Sequence, residues 1–190
     1  MLAVVLVGVG AAIAIPRLHA GSGVSLADVK RGDLVLLHAS TPEQRFAVLS
    51  RRHTNKCSLT PESIESIAVR GRLQGSCCRP MVFDRYVEQL RRLKRYGAVA
   101  EIPADPYDVP LGLAKRLIAY DRTITLSPAQ QKTYDHATTL SHEHGPCCCH
   151  CWRWTAFGGQ AKYLIARRGY TAQQIAGVWD LEDGCGGGAA

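Results

Sequence analysis

Apolar positions recur along much of the chain at intervals of three and four residues, the period of a helix that buries one face. Phe83, Val87, Leu90 and Leu93 mark one such stripe, which stops at Gly97, and Glu88 and Arg92 are spaced to pair on its outer side. Leu111, Leu113, Leu117 and Ile118 mark a second, after the proline-rich strip from Ile102 to Pro110. Trp154, Phe157, Ala161, Leu164 and Ile165 mark the longest, which the pattern predicts from Gly145-Pro146 to Gly169. Inside it the pair Gly158-Gly159 costs about 1 kcal/mol per glycine relative to alanine. That cost predicts a bend there, or a second backbone packed close against this one.

Four further helix starts are written in their caps. Thr41-Pro42-Glu43-Gln44 and Ser127-Pro128-Ala129-Gln130 each combine a hydroxyl cap, proline at the first helical position and glutamine at the third. Thr171-Ala172-Gln173-Gln174 has the cap and the glutamine, and Thr60-Pro61-Glu62-Ser63 has the cap and the proline. Each such cap satisfies backbone N–H groups that a helix leaves unpaired. Only Asp33-Leu34-Val35-Leu36-Leu37 suggests a short strand or edge segment. The predicted fold class is therefore all-α, a single compact domain over residues 41–185, preceded by a linker at 21–40 and followed by a flexible tail at 186–190.

The first fifteen residues break this pattern, because Met1 to Ile15 are apolar or glycine throughout, with Pro16, Arg17 and His19 following. A run without polar positions lacks the amphipathic period of a surface element. It is shorter than the roughly 20 residues that span a bilayer and suits the apolar part of an export signal. Residues 1–20 are read as a signal peptide or membrane anchor. No Lys or Arg precedes the run and Leu18-His19-Ala20 is a weak cleavage site, which favours an uncleaved anchor. The expected location is the cell envelope, at the extracytoplasmic face of the membrane or secreted, with the membrane as one partner and a membrane protein as another.

Composition adds two constraints. With 46% hydrophobic and 21% charged residues, a chain of 190 residues can build a real core and needs no staples to fold. Its eight cysteines need another explanation. The net charge of +7 is spread along the chain instead of being concentrated on one element with interleaved aromatics, which argues against nucleic acid and is compatible with anionic headgroups.

The cysteines stand in four places: Cys57, the pair Cys77-Cys78, the cluster Cys147-Cys148-Cys149-His150-Cys151, and Cys185. Most are predicted at helix ends, where the partial positive charge of an N-terminus favours thiolate, the form that ligates metal. If the long helix begins at Pro146, its first turn gathers Cys147, Cys148 and Cys151 on one side as a three-sulfur claw. A tetrahedral ion then needs a ligand from elsewhere. Cys77 and Cys78 are the expected donors, then Cys185, with Cys57 and His53, four residues apart, at the rim. His136, His142, His144 and His150 are candidate imidazole ligands. Imidazole with thiolate suits Zn(II), and thiolate alone suits Cu(I), so the expected cofactor is a transition-metal ion, Cu(I) or Zn(II).

Two other readings of the same residues stay open. Eight cysteines allow 105 disulfide connectivities, although three consecutive cysteines sit poorly in such a framework because neighbours bridge only with strain. Cys148-Cys149-His150-Cys151 is formally Cys-x-x-Cys, but the βαβ context of a thioredoxin-like site is absent. Trp154 and Trp179 are expected in the core, and Asp180, Glu182 and Asp183 in a solvated turn. No serine-histidine-aspartate set, phosphate-cradling loop or HExxH pattern points to an enzyme.

Pro146-Cys147-Cys148-Cys149-His150-Cys151 resembles the exported bacterial proteins named for a Pro-Cys-Tyr-Cys-x-Cys (PCYCGC-type) motif. The resemblance covers six residues of 190, with Cys148 in place of the tyrosine. It implies an envelope protein with metal binding as the suspected role, and it implies that Cys147, Cys149 and Cys151 are the essential three.

Overall fold

The computed structural model describes residues 39–67 and 71–187. The apolar run at the N-terminus, the 33–37 segment, His19 and His38 lie outside these residues. Among the described residues no helix is long and apolar enough to cross a membrane.

Seven α-helices and one small sheet make up the described chain: α1 Pro42–Leu49, α2 Pro61–Ser66, β1 Arg72–Gln74, α3 Phe83–Leu93, β2 Asp108–Pro110, α4 Leu111–Thr123, α5 Pro128–Leu140, α6 Trp152–Arg168 and α7 Ala172–Glu182. All four hydroxyl caps form reciprocal boxes. At Thr60 the third helical residue, Ser63, closes the box that glutamine closes elsewhere. The stripe of α3 continues as a tighter turn over Lys94–Tyr96, and the exposed partner of Glu88 is Arg91, not Arg92, at 2.7 Å.

The fold is mostly helical but departs from all-α at one place. Arg72, Leu73 and Gln74 pair antiparallel with Pro110, Val109 and Asp108. A proline-rich strip cannot continue a helix, and Pro110 at the sheet end needs no backbone donor. The strand pair is locked from the side by charge: Asp108 accepts from Arg72 at 2.5 Å and from Arg45 at 3.0 Å, while Asp105 accepts from Arg45 and from the Tyr86 hydroxyl, both at 2.9 Å.

The core lies between α4 and α6, with α5 and α7 closing one side through an edge-on Tyr134–Trp179 contact at 5.5 Å. Here the glycine pair finds its reason. A Cβ on Gly159 would stand 2.1 Å from the Leu117 carbonyl oxygen and 2.5 Å from the Asp121 nitrogen, so the α4 backbone occupies that space. Trp152 and Trp179 are fully buried, whereas Trp154, expected in the core, is only half-buried. The expected acidic turn is also inside: Glu182 and Asp183 are buried, Glu182 accepting from Gln160 and Asp183 from Arg85.

Candidate metal centre

The long helix begins at Trp152, with Cys151 as its N-cap, six residues later than its periodicity suggests. His144 and Gly145 hold positive φ angles of 49° and 152°, which a helix cannot continue through. Cys147 to Cys151 therefore form a folded loop, and the claw built on helical spacing is not how their sulfurs meet. Cys77 and Cys78 likewise lie in the loop after β1, five residues or more before α3 begins at Phe83, and not at a helix end.

Each cysteine-bearing loop is fixed by backbone and amide hydrogen bonds to another. Asn55 is the hub for Cys57: its amide donates to the Gly75 carbonyl at 3.0 Å and accepts from the Trp152 indole at 3.0 Å. The Trp152 backbone N–H, left unpaired at a helix start, donates to Leu59 at 2.9 Å. On the opposite side, Cys77 and Arg79 donate to the carbonyls of Gly184 and Cys185 at 3.1 and 2.8 Å, and Gly187 donates to Pro80 at 2.9 Å. The segment from Gly184 to Gly187, whose last two residues were expected in a flexible tail, is thus docked as a short rung beside residues 77–80.

The result is a single cluster of all eight thiols. Sulfur–sulfur contacts run from Cys57 to Cys149 (3.2 Å), Cys149 to Cys78 (3.9 Å), Cys78 to Cys77 (3.5 Å) and Cys148 (3.8 Å), and Cys185 to Cys77 (3.5 Å), Cys147 (3.3 Å) and Cys148 (3.0 Å). Cys151, 3% exposed, is buried in the same core cluster as Cys147 and Cys185. Four overlapping sets of three have all their sulfurs within 4.8 Å of one another: Cys57/Cys77/Cys78, Cys77/Cys147/Cys185, Cys78/Cys148/Cys185 and Cys147/Cys148/Cys149. A tetrahedral ion with metal–sulfur bonds of about 2.3 Å places its ligands about 3.8 Å apart. The contacts here lie close to that edge length, and all eight cysteines are unbridged.

The histidines stand apart from these sets, which consist of cysteine alone. His53 lies beyond the end of α1 and is exposed, so its four-residue spacing from Cys57 has no helix to act through. His136 is exposed on α5 and His144 in the turn after it. His150 is exposed with its ring against Trp154 at 4.0 Å. His142 holds its backbone N–H on Asp180 at 2.9 Å, and its imidazole Nδ1 is 3.8 Å from the same carboxylate. With Glu143, Arg79, Arg85, Asp180, Asp183 and Gly186, His142 lines a cleft of about 410 Å³ that opens onto Cys78, Cys148 and Cys185.

One residue absent from the sequence reading lies under the cluster. Arg153 is 1% exposed, and its guanidinium donates to the carbonyls of Pro106 at 3.1 Å and Glu182 at 2.5 Å. Its face covers the rings of Phe157 and Trp152 at 4.7 and 5.4 Å. Among the described residues no carboxylate pairs with it at ion-pair distance, and the charges within its electrostatic reach are the sulfurs of Cys77, Cys147 and Cys185, with Asp183. A buried cation without a partner costs several kcal/mol, so a negative charge on the cluster is favoured. A lone arginine between two tryptophans on an otherwise apolar stripe was the sequence signal for it.

The thiols share that charge unequally. Hydrogen bonds from Cys151, Cys185 and Cys77, aided by Arg153, push the Cys147 thiol well below its ordinary range. Once Cys147 carries an anion, its hydrogen bond and repulsion push Cys151 and Cys185 up, while burial leads the rise at Cys149 and brings Cys78 to about 11. Cys151, at a helix N-terminus, is thus raised and not lowered: a neighbouring anion outweighs half a charge of helix dipole. A cation at the centre of the cluster would let more of the thiols ionise. Comparison of the chain with protein-family models, curated proteins and solved structures finds no match, so this chemistry rests on the chain's own residues.

Proposed function

We propose that this chain binds a thiophilic transition-metal ion, Cu(I) or Zn(II), through its cysteine cluster, and serves in capture, buffering or delivery of that ion at the extracytoplasmic face of a membrane. The observation that carries the reading is the convergence of eight unbridged sulfurs from four stretches of chain, three of them beside a buried arginine that no carboxylate of the described residues meets at ion-pair distance. Thiolate-only surroundings suit soft ions. The location rests on the apolar run at residues 1–15 and on the Pro146–Cys151 resemblance to exported proteins, and fractionation of the full-length chain tests it.

The metal reading is tested by purifying the chain under reducing, metal-replete conditions and measuring bound Zn(II) or Cu(I) together with free thiols. Retained metal that disappears in Cys147→Ser or Cys185→Ser is expected. Eight free thiols with no metal held against a weak chelator would refute it. The closest pairs, Cys148–Cys185 at 3.0 Å and Cys57–Cys149 at 3.2 Å, are where bridges would form if the cluster works by thiol–disulfide exchange or as a structural framework. One bridge opening at a mild potential identifies the first of these, and four stable bridges the second.

A further inference from the structure

Resting on the metal reading, the geometry points to two ion sites of unequal access: an inner site on Cys77, Cys147, Cys151 and Cys185, and an outer site on Cys57, Cys78, Cys148 and Cys149 that exchanges its ion through the cleft.

Eight sulfurs exceed what one ion takes. Zn(II) accepts four thiolates, and a contiguous network of eight either leaves half of its members protonated or holds a second ion. Burial and contact together divide them, with the Cys148–Cys185 contact of 3.0 Å joining the two halves. Cys147, Cys151 and Cys185 are 2%, 3% and 5% exposed, and Cys77 joins them through contacts of 3.5 Å to Cys185 and within 4.8 Å to Cys147. Three of these four, Cys77, Cys147 and Cys185, are the sulfurs within reach of Arg153. The other four surround a second centre. Cys149 is 3.2 Å from Cys57 and 3.9 Å from Cys78, Cys78 is 3.8 Å from Cys148, and the Cys57–Cys78 and Cys148–Cys149 pairs are each within 4.8 Å. Of this outer set Cys78 and Cys148 are exposed, and both face the cleft.

Charge sharpens the division. Loading Zn(II) on four thiols forms four Zn–S bonds, releases the S–H protons to solvent, moves no electron and leaves two net negative charges. In the inner site Arg153 offsets one of them without any rearrangement. The outer charge faces water and a cleft in which Arg79 and Arg85 stand among Glu143, Asp180 and Asp183, with Arg85 paired to Asp183. An incoming thiol or chelator meets Cys78, Cys148 and the edge of Cys185 in the cleft, but reaches the buried Cys147 and Cys151 only after the Gly184–Gly187 rung lifts off residues 77–80. The outer ion is therefore the one that is delivered, and the inner one holds the loops together.

Native mass spectrometry of the full-length chain titrated with Zn(II), followed by release to excess EDTA, tests this. Two Zn(II) per chain are expected, lost in two phases that differ by about tenfold or more in rate, the factor given by roughly 1.4 kcal/mol in barrier. The double variant C57S/C149S, which touches neither the inner sulfurs nor the rung, should keep one Zn(II) and only the slow phase. Cys147→Ser should lose the slow phase, with circular dichroism checking that it folds. One Zn(II) in the natural chain, a single release phase, or loss of both ions in C57S/C149S overturns the two-site inference while metal binding stands. No Zn(II) at all overturns the metal reading beneath it.

Discussion

Gly186→Ala removes no sulfur and should nevertheless dismantle the centre. Gly186 sits at φ +76°, and a Cβ there would stand 2.1 Å from the Arg79 carbonyl oxygen and 2.5 Å from the Ser76 hydroxyl. Moving the first of these from 2.1 Å to the 3.4 Å of ordinary contact requires a retreat of about 1.3 Å. The opposing atom is backbone and cannot swing aside. The rung's three hydrogen bonds, Cys77 to Gly184, Arg79 to Cys185 and Gly187 to Pro80, lie on either side of the clash. Losing them costs about 0.5–1.5 kcal/mol each, and the left-handed backbone adds roughly 1 kcal/mol. A stability loss of about 2.5–5.5 kcal/mol follows from these ranges. Metal sites tolerate ligand displacements of only about 0.2 Å, so the same shift withdraws Cys185 from its 3.0 and 3.3 Å contacts with Cys148 and Cys147. The assay is Zn(II) competition with a chromogenic chelator, alongside urea unfolding of the metal-free chain. Gly187→Ala is the control: it has a similar φ of +75°, but its Cβ would meet only the flexible Arg79 side chain at 3.2 Å. The control should lose about 1 kcal/mol of stability and keep its metal. If Gly186→Ala binds Zn(II) as tightly as Gly187→Ala, the docked rung is not what places Cys185, and the reasoning fails.

Three other outcomes follow from the same structure. Arg153→Met leaves the Pro106 and Glu182 carbonyls without a donor but also removes an unpaired buried charge. The metal-free chain should change little, while the rise in melting temperature on adding Zn(II) should shrink, matching affinity weakened about tenfold or more by loss of a few kcal/mol of attraction; an unchanged rise would refute the counter-ion role. Burial, opposed by Gln160 and Arg153, pushes the Glu182 carboxyl from 4.5 up to about 8. The folded chain then holds a proton that the unfolded chain loses, so stability falls as pH rises between those values, by up to about 1.4 kcal/mol per pH unit. Urea midpoints of Glu182→Gln should lack that fall. Gly159→Ala drives a Cβ into the α4 backbone and should cost about 3 kcal/mol or more. Gly177→Ala, with nothing within 4 Å of its Cβ, should gain up to about 1 kcal/mol; equal unfolding midpoints for the two would contradict the close α4–α6 approach.

Local chemistry made much of this protein legible from its sequence. Caps and apolar stripes are short-range signals, so the four boxed starts and the stripes of α3 and α4 are found where periodicity and hydroxyls place them, and the glycine pair announced a close backbone. Adjacent cysteines that cannot easily bridge one another pointed to a shared centre. The gathering of Cys77, Cys78 and Cys185 around the 147–151 loop was expected on ligand number, but the means was not. Helical spacing was the wrong geometry, because His144 and Gly145 at positive φ postpone α6 and leave the cysteines in a loop. The histidines looked like ligands by composition and are exposed by topology.

What only the tertiary structure decided are the long-range partners. Residues 72–74 and 108–110 each read as irregular and become strands only by pairing with each other. Arg153 is an ordinary charge in sequence and becomes the cluster's counter-ion because the fold buries it beside Cys77, Cys147 and Cys185 with no carboxylate of the described residues at ion-pair distance. Cys57 reaches Cys149 across 92 residues through Asn55 and Trp152, and Cys185 reaches Cys77 across 108 through a glycine rung. A sequence encodes which groups can ligate, since that is a property of each side chain. Which groups meet depends on loop closure, and each closure is held by hydrogen bonds between residues that carry no mark of one another until the core has formed.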